Sequence, residues 1–266
     1  MTMDSEHLCD CIGPADLAAA IEDGDLVLFF QPKIDVISGA MKGVEALLRW
    51  QHEDLGWIPP SNFVPIAEEF ALIDRLTGWV LDAAIAQWSA WADKGDLRTN
   101  IAVNISPKNL ESVDFPDLVD ATCVRHGVSA EYFTIELTES AAQSAVKLMD
   151  TMTRFRIKGM SISLDDFGIG YSSLAQLQQL PFSEMKVDRS FVMQAEASND
   201  SRIIVKSIVD LAHNLGLEVT AEGVESAAVM KLLTDYGCDK AQGYYIARPM
   251  PADALLDWAR SSANCA

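Results

Sequence analysis

The 266-residue sequence is short of positive charge, of pairable cysteine and of long apolar runs. Lys and Arg number 20 against 39 Asp and Glu, a formal net charge of -19. A field of that sign repels a polyanion, so duplex nucleic acid is set aside as a partner. Cys9, Cys11, Cys123, Cys238 and Cys265 are odd in number and scattered, which gives no disulfide framework and favours a reducing compartment. His7, Cys9 and Cys11 form the only close grouping, but it lacks a fourth ligand and the usual metal-site spacing, and reads as a plain tail. The apolar run 26–30 is far too short to span a bilayer, and the acidic opening 1–10 is no signal peptide. The expectation is a cytoplasmic chain with no membrane insertion.

No linker, low-complexity stretch or charge block follows residue 14. Hydrophobic residues at 49% and charged residues at 22% supply a sizeable core and exclude a disordered chain. Short β-like runs alternate with longer helix-like ones, with strands expected at 26–35, 42–50, 100–105, 133–137, 161–165, 184–187, 218–221 and 240–246. Residues 61–96 leave room for two helices, and Ile204, Ile208, Leu211 and Leu215 recur at helical spacing before Gly216. Eight strands with intervening helices fit an α/β chain folded as a (β/α)8 barrel.

Strand parity sharpens this picture, because successive side chains point to opposite faces. Glu45 lies between Val44 and Ala46, Asn104 between Val103 and Ile105, Glu136 between Ile135 and Leu137, and Lys186 between Met185 and Val187. Asp165 follows Leu164, Glu222 follows Ala221, and Gln242 follows Ala241. With the apolar set on the helices, the polar set points into the barrel, late in each strand, where barrel enzymes keep their active sites. A half-solvated sheet with a polar outer face is the alternative. Glu45, Glu136, Asp165, Asp166 and Glu222 would then crowd one mouth with Asn104. Their mutual repulsion demands cations, and an all-oxygen set suits Mg²⁺ or Mn²⁺. Two such ions with Lys186 and Arg49 would draw an anionic substrate such as a phosphate ester.

The same residues carry a resemblance. Glu45-Ala46-Leu47-Leu48-Arg49 is similar to the signature of the EAL family of cyclic di-GMP phosphodiesterases. It is joined in family order by Gln31-Pro32, Val103-Asn104-Ile105-Ser106, Glu136-Leu137-Thr138-Glu139, the run from Asp165-Asp166-Phe167-Gly168-Ile169 to Leu174, Lys186-Val187-Asp188, Glu222-Gly223-Val224-Glu225 and Gln242-Gly243-Tyr244. The resemblance implies a modified TIM barrel whose first strand is antiparallel to the rest, spanning residues 14–262 between tails 1–13 and 263–266. It also implies a homodimer that converts cyclic di-GMP to linear pGpG with two divalent cations, Mg²⁺ or Mn²⁺, and that Ca²⁺ inhibits.

By that resemblance Glu45, Asn104, Glu136 and Asp165 hold one metal, and Asp165, Asp166 and Glu222 the other. Lys186 orients the attacking water, Glu222 accepts its proton, and Gln242 completes its hydrogen bonds. Gln31, Leu48 and Arg49 contact the nucleotide, while Glu139 and Glu225 steady the loop that begins at Asp166. Ile169 stands where the family usually has Thr, and Phe30 where it usually has Tyr; neither is a ligand. The rival expectation is a catalytically silent EAL module that binds cyclic di-GMP or a protein partner. No stretch resembles the Gly-Gly-Asp/Glu-Glu-Phe cyclase signature, and the chain is either stand-alone or a segment of a longer protein.

Overall fold

A computed structural model describes residues 12–139, 145–169 and 174–263. Helix α1 (Pro14–Asp23) precedes strands β1 (Leu26–Asp35), β2 (Met41–His52) and β3 (Gly56–Ile58) and helices α2 (Pro60–Glu69) and α3 (Ile73–Asp93). Strand and helix then alternate: β4 (Asn100–Asn104), α4 (Phe115–Arg125), β5 (Phe133–Thr138), α5 (Ala145–Ile157), β6 (Ser161–Phe167), α6 (Leu174–Gln179), β7 (Glu184–Val187), α7 (Arg189–Gln194) and α8 (Asn199–Asn214). The chain finishes through β8 (Glu218–Ala221), α9 (Ala227–Tyr236), β9 (Lys240–Ala241) and α10 (Ala252–Ala263).

Pairing of β1 with both β2 and β9 closes a barrel in the order β1-β9-β8-β7-β6-β5-β4-β2, with β3 added outside β2. β1 runs antiparallel to its two neighbours, and the pairs from β2–β4 round to β8–β9 are parallel. The expected modified barrel is therefore present. Among the described residues no helix is long and apolar enough to cross a membrane.

The parity argument holds strand by strand. Val44, Val103, Ile135, Leu164, Met185 and Val219 are completely buried in the shell between strands and helices, each contributing about 1.5–3 kcal/mol by leaving water. The alternate positions fill the interior, and they are polar. Opposite residues of a strand pair share a face, so the registers Gln31↔Glu45, Asn104↔Glu136 and Lys186↔Thr220 place these side chains inside together. A half-solvated sheet is excluded, since Glu45, Glu136, Lys186 and Gln242 are all buried. An unpaired charge in such a place costs several kcal/mol, so the interior must neutralise itself.

Two expectations about elements need adjustment. The last strand ends at Ala241 rather than 246, because Gly243 starts a turn in which Ile246 N–H donates to Gly243 O over 3.1 Å. The short β3 was not foreseen; it pairs with the end of β2 from Trp50↔Ile58 to His52↔Gly56. The helix after residue 199 does close at Gly216, whose φ of +75° suits glycine, and Ser198 caps its start by accepting from Ser201 N–H.

Candidate active site

The mouth of the barrel opens into a cavity of about 840 Å³ whose wall includes Glu45, Arg49, Asp165, Asp166, Glu222 and Gln242. β2 supplies Glu45, Leu47 and Arg49 from one face by simple alternation. Leu48 lies on the opposite face and packs against the hydrophobic core, whereas Leu47 lines the cavity. Arg49 is half-buried, donates to Leu48 O over 2.7 Å and stands 5.9 Å from the Phe29 ring centroid. Burial holds its guanidinium somewhat below the ordinary arginine value, Glu45 opposing.

Asp165 and Asp166 are consecutive, and an even strand would turn them to opposite faces. A register irregularity between Leu164 and Phe167 breaks the alternation, and Asp166 sits at φ +55° in the left-handed region. Both residues consequently reach the cavity. The carboxylates of Asp165, Asp166 and Glu222 come within 4.8 Å of one another, the one such group of potential metal ligands among the described residues.

Behind them stands Lys186 Nζ, 2.6 Å from Glu222 Oε1, 3.0 Å from Glu136 Oε2, 3.1 Å from Asp165 Oδ1 and 3.9 Å from Glu45 Oε2. Burial would discharge this ammonium, but Glu136, Glu222, Glu45 and Asp165 hold its pKa well above the usual lysine value. A second ammonium, Lys33, reaches Glu136 Oε1 at 2.6 Å. Against its burial, Lys186 and Lys33 pull the pKa of Glu45 below the usual carboxylate value. Its Oε1 accepts from Asn104 Nδ2 over 2.7 Å and its Oε2 from Gln242 Nε2 over 2.6 Å.

Two lysines do not balance the carboxylates. Burial, with Asp165 and Glu45 adding to it against Lys186, pushes Glu222 up to about 8. Asp166 rises to about 6 through burial and then its neighbours Asp165 and Asp188. Glu136 is raised as well, by burial against the two lysines. These are the marks of a site short of positive charge. Gln242 Oε1 is buried with no hydrogen-bond partner, although its Nε2 also reaches Gln31 Oε1 at 3.0 Å.

The loop after β6 is tied at one point, where Gly168 N–H donates to Glu139 Oε2 over 3.1 Å. Glu225 is exposed on the cavity wall and makes no hydrogen bond to the described part of that loop; residues 170–173 lie outside the described residues. So do His7, Cys9, Cys11 and Cys265. His126 and His213 pair with Asp82 and Asp239 at 3.0 and 2.9 Å, and neither lines the cavity. Sequence reasoning missed Lys33, Leu47 and Asp188. Lys33 shares the parity of Gln31, and that was the available signal.

A close backbone approach holds the rim. Val224 N–H donates to Gln242 O over 3.0 Å and Tyr245 N–H to Val224 O over 2.9 Å. A Cβ at Gly243 would lie 2.2 Å from the Val224 backbone, so only glycine lets the two motifs meet.

The sequence matches the EAL domain family over residues 15–249. It is 43% identical over 242 residues to the bifunctional diguanylate cyclase/cyclic di-GMP phosphodiesterase MucR of Pseudomonas aeruginosa, covering 91% of this chain and 35% of that protein. It is 35% identical over 249 residues to the cyclic di-GMP phosphodiesterase RocR of the same organism, covering 93% of this chain and 63% of that one. The chain thus spans less than two thirds of either relative's length. The solved PaMucR phosphodiesterase in complex with c-di-GMP shares 42% identity with a TM-score of 0.86, covering 91% of this chain and 98% of that one.

Proposed function

The chain belongs to the EAL domain family, and from that premise we propose that it hydrolyses cyclic di-GMP to linear pGpG at the mouth of the barrel. The observation that carries the proposal is the convergence of Asp165, Asp166 and Glu222 within 4.8 Å, on a cavity floor whose carboxylates outnumber its lysines. The donor set is all oxygen and its raised carboxyls call for cations, which fits Mg²⁺ or Mn²⁺. Asp165, Asp166 and Glu222 would hold one ion, and Glu45, Asn104, Glu136 and Asp165 the other. Bound there, two divalent ions would make a bound water acidic and screen the phosphate charge.

The chain's own groups supply the rest. Arg49, on the cavity wall, forks onto a phosphate oxygen and turns one phosphodiester towards the carboxylates. Lys186 donates to the attacking water and to developing charge on the phosphate; it is already held at 2.6 Å from Glu222 Oε1. Gln242 Oε1 accepts from the water, the partner it lacks inside the protein. Glu222 takes the water's proton. The water oxygen bonds to phosphorus, the bond from phosphorus to a ribose O3′ breaks with O3′ taking a proton from solvent, and the products are one 5′-phosphate and one free 3′-hydroxyl on a linear dinucleotide.

The test is purified chain with cyclic di-GMP and Mg²⁺ or Mn²⁺ near neutral pH, nucleotides resolved by chromatography. Conversion to pGpG is expected, as is inhibition by Ca²⁺. Nucleotide that survives intact while staying bound would identify a silent binding module instead. The same proposal includes a homodimer, read by sedimentation at micromolar concentration.

A further inference from the structure

Among the described residues, Lys33 and Lys186 are the buried lysines, and they divide one carboxylate between them. Lys33 Nζ donates to Glu136 Oε1 over 2.6 Å, and Lys186 Nζ to Glu136 Oε2 over 3.0 Å. The two ammonium groups differ in their other company. Lys186 also touches Asp165 and Glu222 at the mouth, whereas Glu136 is the sole ion-pair partner of Lys33 within 4.0 Å among the described residues. Lys33 lies one inward position deeper along β1 than Gln31 and is paired in register with Gly43, which puts no side chain into the barrel beside it. The lysine therefore crosses the barrel from β1 to β5 beneath the mouth.

We propose that Lys33 is a metal-selectivity residue: by holding Glu136 Oε1 from inside the barrel, it leaves Oε2, the oxygen shared with Lys186, as the one Glu136 offers a cation, which favours a small octahedral ion over Ca²⁺. The inference rests on Glu136 being a metal ligand, as proposed above. Ca²⁺ takes six to eight oxygens and commonly chelates both oxygens of a carboxylate, while Mg²⁺ demands near-ideal octahedral geometry and keeps to single oxygens and waters. To chelate through both oxygens, Glu136 would have to release an ammonium with which it forms a charge-assisted hydrogen bond, away from water. No other carboxylate of the described residues lies within 4.0 Å of Lys33, and the nearby Glu184 is already engaged by Thr220 and Lys240, so the release is penalised. Mg²⁺ and Mn²⁺, taking Oε2 alone, compete only with Lys186, whose ammonium keeps Asp165 and Glu222 as partners. Lys33 touches neither substrate nor reacting atoms, so it is a positioning residue, acting through Glu136.

The test compares the ratio of Ca²⁺ to Mg²⁺ affinity, by calorimetric titration of the full chain, with that of Lys33→Met, which keeps the length and removes the donor. Removing a positive charge alters the affinity of every divalent ion alike, and that general effect cancels in the ratio. The ratio is expected to move towards Ca²⁺ by about tenfold, the lower end of what outer-shell changes produce. On a Glu136→Gln background the same substitution should leave the ratio unchanged, because the carboxylate through which Lys33 acts is gone. Should Lys33→Met not fold, Lys33→Gln, shorter and uncharged, carries the comparison with a smaller shift in the same direction. A ratio constant within twofold in the variant that folds overturns the inference alone. A shift that persists on the Glu136→Gln background overturns it too, since Lys33 would be acting elsewhere. If the unmodified chain binds neither ion at millimolar concentration, the site is not a metal site, and the proposal for Lys33 falls with it.

Discussion

The backbone N–H of Asp166 donates to Oδ1 of Asp165 over 2.9 Å, across the bulge that turns two consecutive residues to one mouth. Asp166 occupies the left-handed region at φ +55°, which Asp and Asn tolerate and β-branched residues do not. Asp166→Asn should fold with thermal stability near that of the parent, yet bind one divalent ion fewer and lose about 100-fold or more in turnover. Asp166→Val should show the same functional loss and in addition melt lower, by about 1–2 kcal/mol. Calorimetric melting with metal stoichiometry separates charge from backbone. Equal stability of the two variants would deny the strain.

Glu222, pushed up to about 8, keeps its proton at pH 7 when no cation is bound. Its folded-state pKa lies above the ordinary 4.5, so its contribution to stability is full below about 4.5 and is lost as pH rises through about 8. The metal-free chain should therefore melt at falling temperature between pH 5 and about 8.5. Mg²⁺ or Mn²⁺ should flatten that slope, because ligation requires the deprotonated form. Titration of metal into the chain at pH 7 in buffers of different ionisation enthalpy should report release of about one proton. No release would place Glu222 outside the ligand set.

Lys186 and Glu45 are neighbours with opposite tasks. Glu45→Ala should lose one metal and most activity, whereas Lys186→Ala should retain both ions while turnover falls by about two to four powers of ten, the range for a positioned proton donor. Without metal, Lys186→Ala strips the counter-ion from Glu136 and Asp165, and a buried pair broken on one side costs about 3–5 kcal/mol. Metal should restore much of that loss. Metal content and melting with and without Mg²⁺ measure both parts; equal metal loss in the two variants would merge their roles.

What the sequence disclosed follows from its periodicities. Alternation in β2, β5 and β7 told which residues enter the barrel, and it worked because those strands are regular and helix-covered. The same rule could not foresee Asp166, whose bulge has no signature in an alternation pattern, nor the early end of β9, where the close approach of Gly243 to Val224 overrides an apolar run. Lys33 was hidden for another reason: a lysine late in a strand reads as a solvated edge until the closed barrel shows the carboxylate opposite it. The alternation of β2 puts Leu47 beside Glu45 and Arg49 on the cavity wall and Leu48 on the core side.

Substitution at Ile169 tests whether the loop after β6 limits the activity of this chain. The Ile169 side chain is 60% exposed at the cavity, so it forms no part of the core and its exchange for Thr leaves packing intact. The neighbouring Gly168 is already anchored by its N–H to the buried Glu139 at 3.1 Å, and a Cβ at Gly168 would lie 2.8 Å from the Phe191 ring, which fixes the loop's path independently of position 169. A hydroxyl added at 169 therefore brings at most one hydrogen bond, about 0.5–1.5 kcal/mol. Ile169→Thr should change turnover or metal affinity by about tenfold or less, while Glu139→Ala, which frees the Gly168 amide, should do greater harm. Turnover and Mn²⁺ affinity measured on the two variants give the ranking. A gain of several powers of ten from Ile169→Thr would mean that the loop, and not the carboxylate set, limits this chain.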